Sequence, residues 1–316
     1  MKIVSDIAIP FLAETVQTGW PDVAICPMKP EEIDRSVLLD ADVLVVRTRT
    51  RVDEQLLAGT KVRLVCTATI GYDHIDTAWC EAHGVRWTAC PGCNAQAVCD
   101  YIEEVLNEIT NHKSPMTNTP TMGVVGVGHV GSLVARMAER RGLRVLLNDP
   151  PRGIGENIDE IARNSDIITF HVPLDESTYH LCNAALLSQT RPGTLIINSS
   201  RGGVVDEVAL LRSGRPFVLD TWEGEPHINP DVLAKAQLAT MHIAGYSLDG
   251  KKRATEMCLD AISKEFGLPI LSIDKKVVSL QPISGDSAPG WVKRVSEQLK
   301  QRPRDFEELR KHYILR

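Results

Sequence analysis

Three polar side chains follow predicted strands and could together carry acid–base chemistry. Arg201 lies within Asn198–Gly203, Glu225 precedes a proline, and His242 follows the apolar run Leu238–Met241. A carboxylate beside an imidazole raises the pKa of the imidazole and fixes the orientation of the ring, which gives a proton donor and acceptor near neutral pH. An arginine at a strand end can bind a carboxylate through two parallel hydrogen bonds. We therefore predict one catalytic site formed by Arg201, Glu225 and His242.

Each of these residues has a commoner structural role when it is considered alone. An isolated arginine in this position is more often part of a surface ion pair, and a single histidine after a strand is usually structural. The prediction depends on finding all three at the carboxyl ends of strands in one sheet. Open parallel sheets bind their ligands at that edge.

A glycine-rich turn in the same predicted sheet indicates a dinucleotide site. Gly126, Gly128 and Gly131 follow the apolar strand Met122–Val127 and begin a helix. The first glycine allows a tight turn, the second lets the backbone approach a pyrophosphate, and the third lets helix and strand pack closely. The helix N-terminus then offers N–H groups and the positive end of its dipole to the phosphates. A glycine turn that binds nothing is the alternative.

Asp149 predicts which dinucleotide binds there. It ends the strand that follows the glycine turn, and two prolines come directly after it. An acidic side chain in this position can hold both ribose hydroxyls and would repel a 2′-phosphate. We therefore predict NAD as the cofactor and disfavour NADP.

The alternation of short apolar runs with helical patterns predicts how these residues are positioned. It is typical of an α/β fold with parallel sheets, and a chain of 316 residues is long enough for two domains. The strands predicted in the first part are Lys2–Val4, Val23–Cys26, Val43–Val46 and Arg63–Cys66, with helices at Glu31–Leu39 and Asp53–Leu57. Those predicted in the second part are Met122–Val127, Arg144–Leu147, Asp166–Phe170, Thr194–Asn198 and Phe217–Leu219, with helices at Val130–Arg140 and Asn183–Ser188. Longer helices are predicted from Asn94, as a capping residue, to about Thr110 and over Asp249–Phe266.

Composition and charge exclude several classes of protein. The chain is 43% hydrophobic and 24% charged, which is ordinary for a soluble globular protein. Its net charge of −6 argues against a nucleic-acid partner. No apolar run reaches the ~18–20 residues that span a bilayer, and the N-terminus does not resemble a signal peptide. We therefore expect a cytoplasmic protein that does not bind membranes.

Cys90 and Cys93 form a CxxC pair, which could indicate redox or zinc chemistry. Zinc usually needs a second ligand pair at similar spacing, and we find none in the sequence, so we predict no metal. Eight cysteines in a chain of this length are too few for a disulfide scaffold. We interpret the pair as part of a tight turn between two domains, with a redox role as the alternative.

The order of the motifs resembles that of the D-2-hydroxyacid dehydrogenase family: a GxGxxG turn, a strand-end Asp, then Arg-Gly, Glu-Pro and His. Within the family, the chain is most similar to the subfamily that oxidises 4-phospho-D-erythronate in pyridoxal 5′-phosphate biosynthesis. The stretches Pro-Gly-Cys-Asn and Trp-Glu-Gly-Glu-Pro are distinctive of that subfamily. The matching stretches are Thr67–Asp76, Pro91–Ala95, Asn148–Pro151, Ile168–Pro173, Leu219–Pro226 and His242–Tyr246.

The resemblance implies a role for each matched residue. Arg201 would bind the substrate carboxylate and polarise the C2 oxygen, and His242 would take the hydroxyl proton with support from Glu225. Glu225 is preferred to Glu223 because the acid of the family precedes proline. The cofactor would contact Gly126, Gly128, Gly131, Asp149, Val172, Ser199, Asp220 and Gly245. The substrate would contact Thr48, Thr67 and Tyr246.

The resemblance also implies a domain plan and a homodimer. A Rossmann-type NAD domain would occupy residues 94–246, and a flavodoxin-like split substrate domain would occupy residues 1–93 and 247–272. Residues 273–316 would form a short version of a C-terminal dimerisation domain. Several loops are shorter than the subfamily has them, and Met241 stands where the family usually has proline.

A phosphorylated substrate would need a second group of donors besides Arg201. Arg47, Arg49 and Arg51 alternate with Thr48 and Thr50 directly after the strand at 43–46. We predict that the two threonines and at least one arginine hold the phosphate, with a solvated charged loop as the alternative. Other functions also remain open: a related dehydrogenase, for example for 3-phosphoglycerate, an NAD-sensing protein without turnover, or a structural protein with a vestigial site.

Overall fold

A computed structural model of the chain describes residues 1–110, 119–273 and 288–313. The chain forms two compact units. The first contains Met1–Asn94 and continues from Ser247, and the second contains Ala95–Tyr246 together with the described residues 288–313. Each unit has its own sheet with helices between the strands, which confirms the predicted α/β fold.

The first unit contains a five-stranded parallel sheet in the order β2-β1-β3-β4-β5. This is the flavodoxin-like order, in which ligands bind beyond the carboxyl ends of the strands. Residues of β3 and β4 are buried throughout, because helices cover both faces of a parallel sheet. The strands are β1 (Lys2–Asp6), β2 (Ala24–Met28), β3 (Val43–Val46), β4 (Leu64–Thr67) and β5 (Arg86–Thr88). The helices are α1 (Leu12–Gly19), α2 (Arg35–Leu38), α3 (Glu54–Leu57), α4 (Thr77–Ala82) and, after the second unit, α11 (Leu248–Phe266).

The second unit contains a seven-stranded sheet in the order β12-β11-β10-β9-β6-β7-β8. Only the pair β7–β8 is antiparallel among the described strands of this sheet. The strand order reverses beside β6, which is the switch point where Rossmann-type sheets bind dinucleotides. The strands are β6 (Thr121–Val125), β7 (Arg144–Asp149), β8 (Ile154–Gly155), β9 (Ile167–Phe170), β10 (Leu195–Asn198), β11 (Phe217–Leu219) and β12 (Leu238–Ala239). The helices before the C-terminal segment are α5 (Ala95–Thr110), α6 (His129–Arg140), α7 (Ile158–Asn164), α8 (Ala184–Gln189), α9 (Glu207–Ser213) and α10 (Pro230–Lys235).

The C-terminal segment adds α12 (Trp291–Gln301) and α13 (Phe306–Lys311) to the second unit. Its apolar side chains belong to the core of that unit, with Trp291 and Phe306 buried. Ser296 accepts a hydrogen bond from the Ala239 N–H at 2.9 Å, so α12 covers the edge strand β12. A dimerisation role for this segment stays a prediction.

Local capping explains where the sequence-based helix predictions were wrong. The helix expected at Glu31–Leu39 is interrupted, because the Asp34 carboxylate accepts the N–H groups of Ser36 and Val37 and begins α2 there. Asn94 does not cap α5, since its side-chain oxygen is buried without a hydrogen-bond partner in the described structure. The predicted linker at 111–121 lies largely outside the described residues.

Candidate active site

The glycine turn after β6 has the shape that a pyrophosphate needs. Gly126 has a φ of 87°, and a Cβ on it would lie 2.6 Å from the His171 carbonyl oxygen. A Cβ on Gly131 would lie 1.8 Å from the Gly126 carbonyl oxygen, so α6 and the turn require glycine there. Gly128 differs, because a Cβ on it would meet no described atom within 4 Å. The turn is therefore closed on the protein side and open at Gly128, where α6 begins and its first N–H groups can meet an anion.

Asp149 lies at the end of β7, beside this turn. Its Oδ2 accepts a hydrogen bond from the Val127 N–H at 2.8 Å, which fixes the carboxyl group against the glycine loop. Arg152 was not anticipated from the sequence. Its Nε lies 3.7 Å from the same oxygen, and its Nη1 donates to the Val127 carbonyl. This geometry suits an acid that receives ribose hydroxyls.

The other predicted cofactor residues surround the same end of the sheet. The Val172 side chain packs against the turn, since a Cβ on Gly126 would lie 2.8 Å from its Cγ1. The Ser199 hydroxyl is buried and has no partner among the described residues. Gly245 is partly exposed in the loop after His242. Contacts of these residues with a cofactor stay predictions.

The loop that carries Arg201 is held by the last residue of β10. Asn198 accepts hydrogen bonds from the Ser200 N–H and hydroxyl, and its side-chain amide donates to the Arg201 carbonyl at 2.8 Å. The Arg201 guanidinium donates to the Ser200 carbonyl at 2.8 Å. A Cβ on Gly202 would lie 2.0 Å from the Trp222 carbonyl oxygen, so this loop packs directly on the loop that follows β11.

Asp220 anchors the loop that carries His242. Its carboxylate is buried and accepts the N–H groups of Ile243 and Ala244 at 2.8 and 3.0 Å. It also accepts the Thr240 hydroxyl at 2.6 Å, and its own carbonyl accepts the His242 N–H. The Asp220 side chain therefore fixes the loop that carries His242. The cofactor contact that the resemblance implies for Asp220 stays a prediction.

His242 and Glu225 form the imidazole–carboxylate pair. His242 Nδ1 lies 2.9 Å from Glu225 Oε2, and Glu225 Oε1 accepts the Trp222 N–H at 2.9 Å. With Nδ1 directed at the carboxylate, Nε2 remains to exchange a proton with a substrate. Burial alone would raise the pKa of Glu225, but the hydrogen bond from His242 and the charges of His242 and Arg310 lower it overall. Glu225 is therefore ionised when it supports the imidazole.

The structure also contains a second pair of this kind, which sequence reasoning missed. His180 Nε2 lies 2.6 Å from Glu223 Oε1, and Asp206 lies 3.9 Å from the other ring nitrogen. His180 has a φ of 50°, and its N–H donates to the Gly203 carbonyl beside the Arg201 loop. The Trp-Glu-Gly-Glu stretch contains both acids, and Glu223 could have been assigned a partner of its own.

The residues predicted to bind substrate in the first unit lie at the carboxyl ends of β3 and β4. Thr67 pairs in register with Val46, so Thr67 and the Arg47–Arg51 segment share one edge of the sheet. The Thr67 hydroxyl bonds to Thr69 at 2.6 Å and to His74 at 3.0 Å. Thr48 is exposed, whereas the Thr50 hydroxyl is buried without a partner among the described residues. Tyr246, the third predicted substrate residue, belongs to the second unit.

The three arginines of this segment differ from one another. Arg51 forms an ion pair with Asp53 at 2.9 Å, and Arg49 is exposed. Arg47 is partly buried near Lys251, whose pKa is lowered to about 8 by burial and by the Arg47 charge. The described residues offer neither cation an ion pair. Arg47 and Lys251 therefore form the better candidate for an anion site.

Cys90 and Cys93 are both buried in a turn of the first unit. The Cys90 Sγ lies 3.7 Å from the Cys258 Sγ, and this thiol contact and burial raise the pKa of Cys90 far above its usual range. Burial raises the pKa of Cys93 to about 12. Thiols that stay protonated are poor nucleophiles and redox groups. Within residues 1–110, 119–273 and 288–313, no group of three or more His, Cys, Asp or Glu side chains is arranged to hold a metal ion.

Comparisons with known proteins agree with this geometry. A family model for the NAD-binding domain of D-isomer specific 2-hydroxyacid dehydrogenases matches residues 100–244. An erythronate-4-phosphate dehydrogenase of Bacteroides fragilis is 40% identical over 338 aligned residues, which cover 100% of this chain and 97% of the relative. One from Bacteroides thetaiotaomicron is 39% identical with the same coverage. The solved NAD⁺-bound 3-phosphoglycerate dehydrogenase of Entamoeba histolytica has a TM-score of 0.71 at 23% identity and shares the fold. The match covers 87% of this chain and 99% of that structure.

None of the described helices is both long and apolar enough to cross a membrane.

Proposed function

The chain belongs to the D-isomer specific 2-hydroxyacid dehydrogenase family and is an NAD-dependent dehydrogenase, and we propose that its substrate is 4-phospho-D-erythronate. The product would be the 2-oxo acid 3-hydroxy-2-oxo-4-phosphobutanoate, made for pyridoxal 5′-phosphate biosynthesis. The contact between His242 and Glu225 supports the reaction class most directly. The full-length similarity to two erythronate-4-phosphate dehydrogenases supports the substrate.

In this proposal, the cofactor lies on the glycine turn of the second unit. The open side of Gly128 and the start of α6 would receive the pyrophosphate, and Asp149 would receive the ribose hydroxyls. Bound NAD supplies the acceptor for the hydride that leaves C2 of the substrate. Val172, Ser199, Asp220 and Gly245 would complete the contacts.

The protein side chains perform the remaining steps. Arg201 would bind the substrate carboxylate, since the loop held by Asn198 fixes its backbone. His242 Nε2 would take the proton of the C2 hydroxyl, and the ionised Glu225 would stabilise the imidazolium through Nδ1. The C2 hydroxyl then becomes a carbonyl, having lost its proton to His242.

The first unit supplies the proposed phosphate site. Arg47 and Lys251 lie close together without an ion pair from the described residues, which favours an anionic ligand. Thr48 and the buried Thr50 hydroxyl follow the same strand end. Thr67 and Tyr246 would contact other parts of the substrate. We further propose that the protein is a homodimer in the cytoplasm. Light scattering of the purified protein would test the dimer.

One assay tests the substrate. The purified protein is mixed with NAD and 4-phospho-D-erythronate, and NADH formation is followed by absorbance. Unphosphorylated erythronate, D-3-phosphoglycerate and D-lactate serve as comparison substrates. We expect the highest kcat/KM with 4-phospho-D-erythronate. A higher value with another acid would overturn the substrate, and binding of NAD without turnover of any acid would indicate a sensing protein.

A further inference from the structure

The C-terminal segment brings a second arginine to the catalytic residues of the second unit. Arg310 lies in α13, beyond the residues 100–244 that match the family model. The helix is fixed by Phe306, which is fully buried in the core of this unit. Leu309 packs against the same core. Arg310 therefore projects from an anchored element.

Arg310 contacts Tyr246 in two ways. Its Nε donates a hydrogen bond to the Tyr246 hydroxyl at 3.1 Å, and its guanidinium carbon lies 5.7 Å from the centre of the tyrosine ring. Its Nη1 makes a weaker contact with Glu307 at 3.4 Å. The side chain is 26% exposed, so solvent screens these contacts only in part.

We propose that Arg310 is a positioning residue of the active site, which orients the Tyr246 hydroxyl by hydrogen bonding and places a fixed positive charge beside Glu225. The inference rests on the proposed function of Tyr246 and Glu225. Arg310 thereby gives the C-terminal segment a role within its own chain.

The hydrogen-bond chemistry of tyrosine explains the first part. A phenol oxygen can accept and can donate one hydrogen bond. Because Arg310 donates to this oxygen, the Tyr246 hydrogen is left to donate to another acceptor. A carboxylate or phosphate oxygen of a substrate is such an acceptor, and a charged donor behind the hydroxyl strengthens its donation.

Electrostatics explains the second part. The charges of His242 and Arg310 both lower the pKa of Glu225. The charges of Glu207 and Glu225 repel each other, and this repulsion raises the pKa of Glu207. Without Arg310, Glu225 would accept a proton at higher pH. A protonated Glu225 no longer stabilises the imidazolium of His242. As the pH is lowered, activity would therefore begin to fall at a higher pH than in the unmodified protein.

Kinetics of Arg310→Gln test the inference, with Arg304→Ala as the matched control because Arg304 is an exposed arginine of the same segment. We expect Arg310→Gln to raise KM for 4-phospho-D-erythronate roughly tenfold and to move the acid limb of the kcat profile to higher pH. NADH affinity should be unchanged. When Arg310→Gln is added to Tyr246→Phe, KM should rise less than twofold further, because each change alone already removes the hydrogen bond between Arg310 and the Tyr246 hydroxyl.

Arg310→Lys separates the two parts and guards against a folding defect. It keeps the charge, so the pH profile should stay near that of the unmodified protein while KM rises. Carboxyl ¹³C NMR of labelled Glu225 supplies a readout without turnover: its pKa should rise in Arg310→Gln and stay unchanged in Arg304→Ala. An unshifted Glu225 pKa together with an unchanged KM would overturn the inference. If the unmodified protein does not turn over the substrate, the proposed function fails, and the NMR titration still decides whether Arg310 acts on Glu225.

Discussion

Glu207 and Glu223 each accept the backbone N–H of the other. Glu207 Oε1 receives the Glu223 N–H at 2.7 Å, and Glu223 Oε2 receives the Glu207 N–H at 3.4 Å. Glu207 begins α9, and Glu223 lies in the loop after β11, where Trp222 holds Glu225. The bond between His180 and Glu223 adds a third element. These contacts fix the Arg201 and Glu225 loops against each other.

Glu207→Ala tests this clamp. It leaves the part-buried N–H of Glu223 without its acceptor, and such a loss costs about 1 kcal/mol of unfolding free energy. We also expect kcat to fall, because the Trp222–Glu225 turn loses its support, while NADH affinity changes little. Denaturant unfolding and steady-state kinetics measure both effects. A stable variant with full kcat would show that the clamp does not position the site.

The raised pKa of Glu207 predicts how Glu207→Gln changes the pH dependence of the melting temperature. Burial raises the pKa of Glu207 to about 7, the Glu223 N–H lowers it, and the charges of Glu223 and Glu225 raise it further. The folded protein binds the Glu207 proton more tightly than the unfolded chain does. The protonated carboxyl therefore stabilises the folded state at acid pH, and this stabilisation is lost as pH rises from about 4.5 to about 7. Glutamine does not titrate, so the melting temperature of the variant should fall less across this range. An identical fall in both proteins would contradict the assignment.

The tendency of parallel sheets to bind ligands at the carboxyl ends of their strands explains what could be predicted from the sequence. Arg201, Glu225 and His242 each follow a strand of one sheet, so predicting that they lie at one edge of it required only the strand predictions and the glycine turn. His180 lies in a loop, and its partner Glu223 is 43 residues away. Arg310 is 64 residues from Tyr246, on a short helix whose position depends on the burial of Phe306. Such contacts are set by tertiary packing, which the periodicity of a sequence does not encode.

His242→Ala should lower kcat by about 10²–10⁴-fold and leave NADH affinity nearly intact, because it removes proton transfer.

The comparison of Glu225→Gln with Glu223→Gln tests which acid supports the His242 imidazole. Glu225 contacts His242 at 2.9 Å, whereas Glu223 contacts His180, so the Glu225 variant should lose more kcat and show the altered pH profile. Equal profiles for the two variants would overturn the assignment, and unchanged kcat in His242→Ala would end the proposed mechanism.

Asp149→Asn tests cofactor choice. Asparagine can still accept the Val127 N–H, but it loses the charge that would repel a 2′-phosphate and it no longer pairs with Arg152. The ratio of NADPH to NADH dissociation constants should therefore fall roughly tenfold, consistent with the loss of one charged interaction. Fluorescence titration of both cofactors measures it. Adding Arg152→Ala should reverse part of the gain for NADPH, and an equal loss of both affinities would contradict this role of Asp149.

The proposed phosphate site predicts different effects for three cations of the first unit. Arg47→Ala and Lys251→Ala should each raise KM for 4-phospho-D-erythronate by about ten- to a hundredfold, since a charged hydrogen bond contributes roughly 1.5–3 kcal/mol. Arg51→Ala is the control, because Asp53 already pairs with Arg51. KM for unphosphorylated erythronate should change little in all three variants.

The pH dependence of this site provides a second measurement. Burial and the Arg47 charge lower the pKa of Lys251 to about 8, so the free protein loses this cation as pH rises through that value. KM for the phosphorylated acid should therefore increase above about pH 8 in the unmodified protein. Lys251→Arg keeps its charge over this range and should hold KM constant there, whereas Lys251→Ala should show a high KM at every pH. If neither Arg47→Ala nor Lys251→Ala alters the preference for the phosphorylated acid, Arg47 and Lys251 do not bind the phosphate.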